Sequence, residues 1–424
     1  MRNQPLPVTF TSPTRREFMR TAGVAAGLAM SPSALARRWE PTSGASGEGS
    51  LVCIYLRGGA DFLNMIAPYR DDDYHESRPT LGLRKEDGVI ELDSKFGLHP
   101  GLSAFAPLWK AKKIAAIVAT GSPHTTRSHF DAQDFMEFAA PGNRTVRSGW
   151  LNRYLAATQK KGASEFRAMA IQGLLPRSLR GTYPVLAVPS SMEKRKGEKT
   201  LSRFEEFYGT GGANSGEEMK GEMMERADEP IVASGRVTIE TLRRYQELLA
   251  KGQSTARYSN DRVGKRLQSI AKVLKAGAGL EIAGVDVGGW DDHANQGSVE
   301  GNHHERLASL SGGIASFCED LGEQLDKTTI VIMTEFGRTV RENGNSGTDH
   351  GHGSGMFVIG GGVRGGRIFG DWKGLGSGSL YQGRDLPVTT DFRDVMAEVL
   401  HGTFGFKAPQ GFFPDYKPSH INLF

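Results

Sequence analysis

Short apolar runs rich in β-branched residues alternate, along most of the chain, with longer stretches in which apolar positions recur at spacings of three and four. The runs 51–56 (LVCIYL), 114–119 (IAAIVA), 280–287 (LEIAGVDV) and 328–333 (TTIVIM) have the composition of strands buried on both faces of a sheet. Shorter strand-like pieces fall at 169–171 and 185–188. Helical spacing predicts helices over 102–110, 128–139, 148–158, 232–250, 261–274, 303–325 and 391–400, the last with Thr389 or Thr390 as its cap. Strands alternating with helices predict an α/β fold, a three-layer αβα sandwich around a mostly parallel central sheet. The glycine-rich stretch 360–378 reads as short strands or loops near its rim.

The ends of the predicted strands carry the chemistry. The first leads into Arg57-Gly58-Gly59-Ala60-Asp61, where the glycines permit a tight path that points Asp61 over the sheet edge as a ligand; the same aspartate also suits a turn cap. The run 280–287 leads into GGWDDH, and Asp291 and His293, two apart in an extended loop, reach one point as a metal pair. The run 328–333 is followed by Glu335 and Gly337, then by Asp349, His350 and His352. Carboxylates and imidazoles at the carboxyl edge of an α/β sheet are a ligand set for zinc or manganese. In the loop 120–129 (TGSPHTTRSH), Ser128 and Asp131 have the spacing of a capping box, so a helix begins there. Its N-terminus suits a phosphate or sulfate group, with Ser128 as nucleophile, Thr126 behind it and Arg127 as a charge clamp; Ser128 as a plain N-cap is the other reading. Arg338 is either a second clamp or fixed to a structural carboxylate. His303, His304 and Glu305 read as first-turn residues of the helix they open, with a supporting place behind the ligands open to His304.

Residues 1–36 read differently from the rest. Thr14-Arg15-Arg16-Glu17-Phe18-Met19, a weakly apolar run 21–30 and Ala34-Leu35-Ala36 make a twin-arginine export signal, its apolar run about half the ~20 residues a bilayer span needs. The expected partner is the twin-arginine translocase, the expected destination periplasmic or extracytoplasmic, and no stable membrane insertion is expected. A flexible lead-in follows over 37–50, then a single domain over 51–424 with a helical insertion at about 190–275. Within it 193–229 is dominated by lysine, glutamate, glycine and methionine, and Met219, Met223 and Met224 suit helix packing. Past residue 36 there are 48 basic against 47 acidic residues, a balance that favours neither nucleic acid nor an anionic membrane. Cys53 and Cys318 are too few for a disulfide framework and read as buried thiols. No GxxxxGK and no GxGxxG opening a helix is present, so nucleotide binding by those routes is unsupported.

The motifs LRGGAD, TRSHFDAQD, GGWDDHANQ, TEFGRT and DHGHG, behind the twin-arginine leader, closely resemble the bacterial family catalogued as domain of unknown function 1501, over nearly the whole chain past the leader. That family looks related to the alkaline phosphatase and sulfatase superfamily. The resemblance implies an alkaline-phosphatase-like fold holding one or two divalent cations (zinc, manganese or calcium) at the carboxyl edge of the sheet. By position it implies roles for Asp61, Ser128, Asp291, His293, Glu335, Asp349 and His350 or His352. The implied activity is hydrolysis of phosphate or sulfate esters, small or polymeric. Glu335-Phe336 stands where the superfamily has an Asp-His pair, and that departure keeps a non-catalytic extracytoplasmic binding or scaffold protein as the alternative.

Overall fold

A computed structural model describes residues 49–188 and 230–424. The leader over 1–36, all but the end of the lead-in, and the methionine-bearing stretch 193–229 lie outside the described residues. β1 (Ser50–Arg57) is followed by a small antiparallel sheet, order β2-β4-β3, made of β2 (Ile66–Ala67), β3 (Ile90–Glu91) and β4 (Gly97–Leu98). The main sheet joins β1 to β5 (Ile114–Gly121), β6 (Ala168–Ala170), β7 (Leu186–Ala187), β8 (Ile282–Gly288), β9 (Thr328–Thr334), β10 (Ser354–Gly360), β11 (Arg367–Phe369) and β12 (Thr390–Asp391). Its order is β11-β5-β10-β9-β1-β8-β6-β7, with β12 also on β5.

β1 pairs in parallel with β8 and β9, Ile54 lying opposite Val285 and Ile332. Alternate side chains of β1 enter two separate cores. Val52, Ile54 and Leu56 face the helices Arg262–Lys275 and Asn302–Leu321, which contribute Leu267, Ile270, Ile314 and Phe317. Leu51, Cys53 and Tyr55 face the helices His129–Glu137, Trp150–Ala157 and Phe392–Phe404, which contribute Met136, Leu151, Val395 and Val399. The fold is therefore α/β, a mixed and mostly parallel sheet between two helical layers. Both cysteines are free and buried.

Two local features depart from the sequence pattern. β10, SGMFVIG, runs antiparallel to both β9 and β5, in a stretch where the sequence pattern predicts no strand because Gly355 and Gly360 shorten its apolar run. The last helix is capped by Asp391, whose carboxylate accepts from the Arg393 N–H at 2.9 Å, rather than by Thr389 or Thr390. Asp71 and Asp261 cap their helices in the same way.

Asp320, near the end of the helix Asn302–Leu321, ties the segment between the two preceding helices to the outer layer. It accepts from Ser254 (2.9 Å), the Thr255 N–H (2.8 Å), Tyr258 (3.0 Å) and Lys275 (2.7 Å). Burial alone would raise its carboxyl, but the Lys275, Thr255 and Ser254 bonds outweigh it and bring the pKa down from 3.8 to about 2. A depressed native pKa gives stability that is present above the unfolded value and is lost as pH falls through the native one. Equilibrium denaturation should therefore show the wild type losing about 2 kcal/mol relative to Asp320→Asn between pH 5 and pH 2, by that linkage.

Candidate metal centre

The parallel strands β1, β5, β8 and β9 all end at one edge of the sheet. β10, being reversed, starts there: Ser354 lies opposite Thr120. The loops after β1, β5 and β8 and the loop joining β9 to β10 thus meet, and the last is folded back on itself backbone to backbone. Gly337 donates to His352 O (3.0 Å) and Gly351 to Gly337 O (2.7 Å). A Cβ on Gly337 would sit 1.7 Å from Gly353 O, so no larger residue fits. Gly58 is held at φ +122° with the Asp291 N–H 2.7 Å from where its Cβ would be, a conformation and a contact that only glycine tolerates.

Three side chains converge there. One ligand atom each from His129, Asp291 and His350 lies within 4.8 Å of the others, a spacing that suits a metal ion. The outer nitrogens of the imidazoles are already assigned by their partners. His350 Nδ1 lies 2.8 Å from the carbonyl of Arg127, so it carries the hydrogen and its Nε2 carries a lone pair, 3.0 Å from Asp291 Oδ1. His129 Nδ1 lies 2.8 Å from Glu335 Oε1, and its Nε2, buried and without a hydrogen-bond partner, faces Asp291 Oδ2 at 3.3 Å. His293 repeats the pattern outside the triad: Nδ1 meets Asp349 Oδ1 at 3.2 Å, and Nε2 is 2.9 Å from His350 Nε2 and 3.1 Å from Asp291 Oδ1. Lone pairs on nitrogen and carboxylate oxygen repel one another unless a proton or a cation stands among them. Acceptors on Nδ1 that turn Nε2 inward are the supporting arrangement of histidine metal ligands, so the donor set fits a divalent cation.

The electrostatics agree in part. Burial pushes His350 down, which favours the neutral, ligating form. His129 is instead raised, first by its hydrogen bond to Glu335, because two carboxylates flank it. In this chain a proton on His129 Nε2 and a cation would compete for one place. Asp291, which burial would raise, is brought down to about 2 by the Arg338 and His350 bonds and is a carboxylate at neutral pH.

The other residues singled out from the sequence are placed as follows. Glu335 is buried with Oε1 accepting from His129, Gln133 (2.9 Å) and the Gly58 N–H (2.9 Å), so it holds His129 instead of joining the triad. Phe336, where the resemblance leads one to expect an imidazole, packs its ring 4.9 Å from His129 and 4.8 Å from His350. Asp61 is buried in an ion pair with Arg78 (2.6 and 3.0 Å) and takes a further bond from Gln296 (2.7 Å). Burial raises its carboxyl, and Arg78 more than reverses that. His352 is buried against Tyr381, the rings 4.3 Å apart. Asp349 reaches the site only through His293 and also takes Asn343 (3.1 Å). Arg338 is buried and donates to Gly58 O, Gly59 O (2.6 Å), Trp290 O (2.9 Å), Thr348 O (2.9 Å) and Asp291 Oδ1 (2.7 Å). Arg127 is forked onto Asp385 (3.1 and 2.5 Å) and reaches Gln382 (3.0 Å). Ser128 occupies the N-cap position, yet its side chain makes no capping bond; its own N–H donates to Thr126 Oγ1 (3.2 Å). The histidine that sequence reasoning passed over is His129. Its signal lies in the same SHFD tetrapeptide, where the serine drew the attention.

A family model described as "Protein of unknown function (DUF1501)" matches residues 48–411. The chain belongs to this family. No curated protein matches it. Among solved structures, the DUF1501 chain is similar to the lipoteichoic acid synthase LtaP from Listeria monocytogenes, with 7% identity over 92% of this chain and 78% of that one, TM-score 0.38. It is similar to the C-terminal periplasmic domain of EptC from Escherichia coli in complex with Zn, with 11% identity over 76% and 74%, TM-score 0.34. It is also similar to a phosphonate monoester hydrolase from Silicibacter pomeroyi, with 10% identity over 88% and 78%, TM-score 0.31. Likeness at these scores supports no conclusion about chemistry, which for this DUF1501 member rests on its own residues.

If the triad holds a cation, His129→Ala, Asp291→Ala and His350→Ala should each weaken zinc binding in isothermal titration by roughly 100-fold or more, and Glu335→Gln by about 10- to 100-fold. Asp61→Asn should lower stability and leave zinc affinity within about threefold of wild type, since a cation at the triad makes no use of that carboxylate.

Proposed function

We propose that the protein is an exported hydrolase of phosphate or sulfate esters that works with a divalent cation held by His129, Asp291 and His350. The observation that carries this reading is the inward convergence of imidazole Nε2 atoms on one carboxylate, each Nδ1 occupied by a separate acceptor. A cation bound there would lower the pKa of a nearby hydroxyl or water and offset charge on the ester oxygens. The chain's own groups do the remainder. Ser128, exposed and not spent on capping, offers its hydroxyl next to His129, and Thr126 Oγ1 fixes the Ser128 backbone. Glu335 holds the orientation of His129, the Arg127 carbonyl that of His350, and Arg338 that of Asp291. The twin-arginine motif of the leader supports translocation as a folded protein to the periplasm or beyond, and among the described residues no helix is long and apolar enough to cross a membrane.

A second reading, an extracytoplasmic binding or scaffold protein without turnover, is favoured by one observation. Asp61 is spent on Arg78 and Glu335 on His129, which leaves ligands for one cation where a two-metal mechanism needs two sets. A panel of chromogenic phosphate and sulfate esters, assayed with zinc, manganese or calcium, separates the two readings. Turnover that falls by at least about 1,000-fold in Asp291→Ala is the expected result. Metal-loaded wild type that cleaves none of the esters would establish the scaffold. For export, replacing Arg15 and Arg16 by lysine should leave the protein in the cytoplasmic fraction, where the unaltered chain is expected in the periplasmic one.

A further inference from the structure

Among the described residues Arg127, Arg338 and Arg384 each touch His350 or Asp291, and the structure separates their duties. Arg338 is buried and committed to backbone carbonyls and Asp291. Arg127 places both Nε and Nη2 on Asp385 Oδ2, so its charge is matched by that buried carboxylate. Arg384 is different. Its side chain is 42% exposed, Nη2 donates to the backbone carbonyl of His350 at 2.8 Å, and Nε lies 3.7 Å from Asp385 Oδ1, beyond hydrogen-bond reach. Nη1 has no partner among the described residues. Asp385 thus faces two guanidinium groups, Arg127 by hydrogen bonds to Oδ2 and Arg384 at ion-pair distance from Oδ1, so the two arginines carry one positive charge more than Asp385 matches. Arg384 is anchored on the main chain of a triad residue. The turn that carries it is bridged at Tyr381 and Asp385 and joined to the β9 exit loop through Thr339 and Asp385, so the guanidinium projects from a fixed backbone.

We propose that Arg384 is the specificity-determining residue that binds the anionic group of the substrate. Nη1, which has no partner among the described residues, and the Nη2 hydrogen not used on His350 O can each donate to an oxygen of a phosphate or sulfate. The proposal takes its substrate from the hydrolase reading, while the anion site itself needs only the position of Arg384. The test is isothermal titration of the zinc-loaded full chain with inorganic phosphate, comparing wild type, Arg384→Gln and Arg384→Lys, alongside metal analysis of each. Wild type should bind phosphate, Arg384→Gln should bind it at least about tenfold more weakly, Arg384→Lys should fall between because it keeps the charge and loses the fork, and zinc content should be the same in all three. Equal affinities, no phosphate binding by wild type, or a loss of zinc in Arg384→Gln that accounts for the weaker binding would each overturn the proposal. Ester turnover, measured separately, keeps the two readings apart. Turnover with an unmoved phosphate affinity removes only the role of Arg384. Arg384-dependent phosphate binding without turnover removes the hydrolase and leaves the anion site.

Discussion

The candidate metal centre depends on one buried guanidinium. Arg338 is sealed from solvent and fastens the exit of β1 through Gly58 and Gly59, the exit of β8 through Trp290 and Asp291, and the approach to β10 through Thr348, while itself belonging to the exit of β9. A guanidinium deprived of water is costly unless its donors are filled and a countercharge is near. The carbonyls fill the donors, and Asp291 supplies the charge. The residue at the heart of the triad is therefore also the one that makes the knot tolerable, and the site and the crossing of the loops form a single electrostatic unit.

Around that knot, charge is passed in alternation. Arg57 bonds Glu137 at 2.6 Å and Gln133 at 3.3 Å, Gln133 bonds Glu335, and Glu335 bonds His129, whose far nitrogen faces Asp291. Each carboxylate lies between donors, and Glu335, which burial would raise, is held below its usual range by His129, Gln133 and the Gly58 N–H. A donor chain of this kind fixes ring orientation from behind, and Phe336, wedged against His129 and His350, fixes it from the side.

What could be read from the sequence was whatever depends on near neighbours. The four long strands were legible because a strand covered on both faces shows as an unbroken apolar run, and the gathering of Asp291, His293 and His350 was legible because parallel strands end at one edge. β10 was not, since its glycines break the run and its reversed direction depends on pairing with β5 and β9. Asp61 was ambiguous for a similar reason: its partners are Arg78, 17 residues away, and Gln296, 235 away, and neither can be inferred from LRGGAD. His129 was missed because SHFD carries a capping pattern strong enough to explain itself locally, while Glu335, which holds its ring, comes 206 residues later. His350 and His352 are alike in sequence context, and only the turn between Gly351 and Gly353 sends one ring toward Asp291 and the other toward Tyr381.

The wedge formed by Phe336 has a consequence for ion choice. Its ring lies against two imidazoles whose outer nitrogens are also tethered, which restrains both rings where a cation would use them. Calcium asks for six to eight oxygens at adjustable distance, whereas zinc accepts four short bonds from nitrogen and oxygen. A set of two imidazoles and one carboxylate held in this way would suit a small borderline ion better than a large hard one.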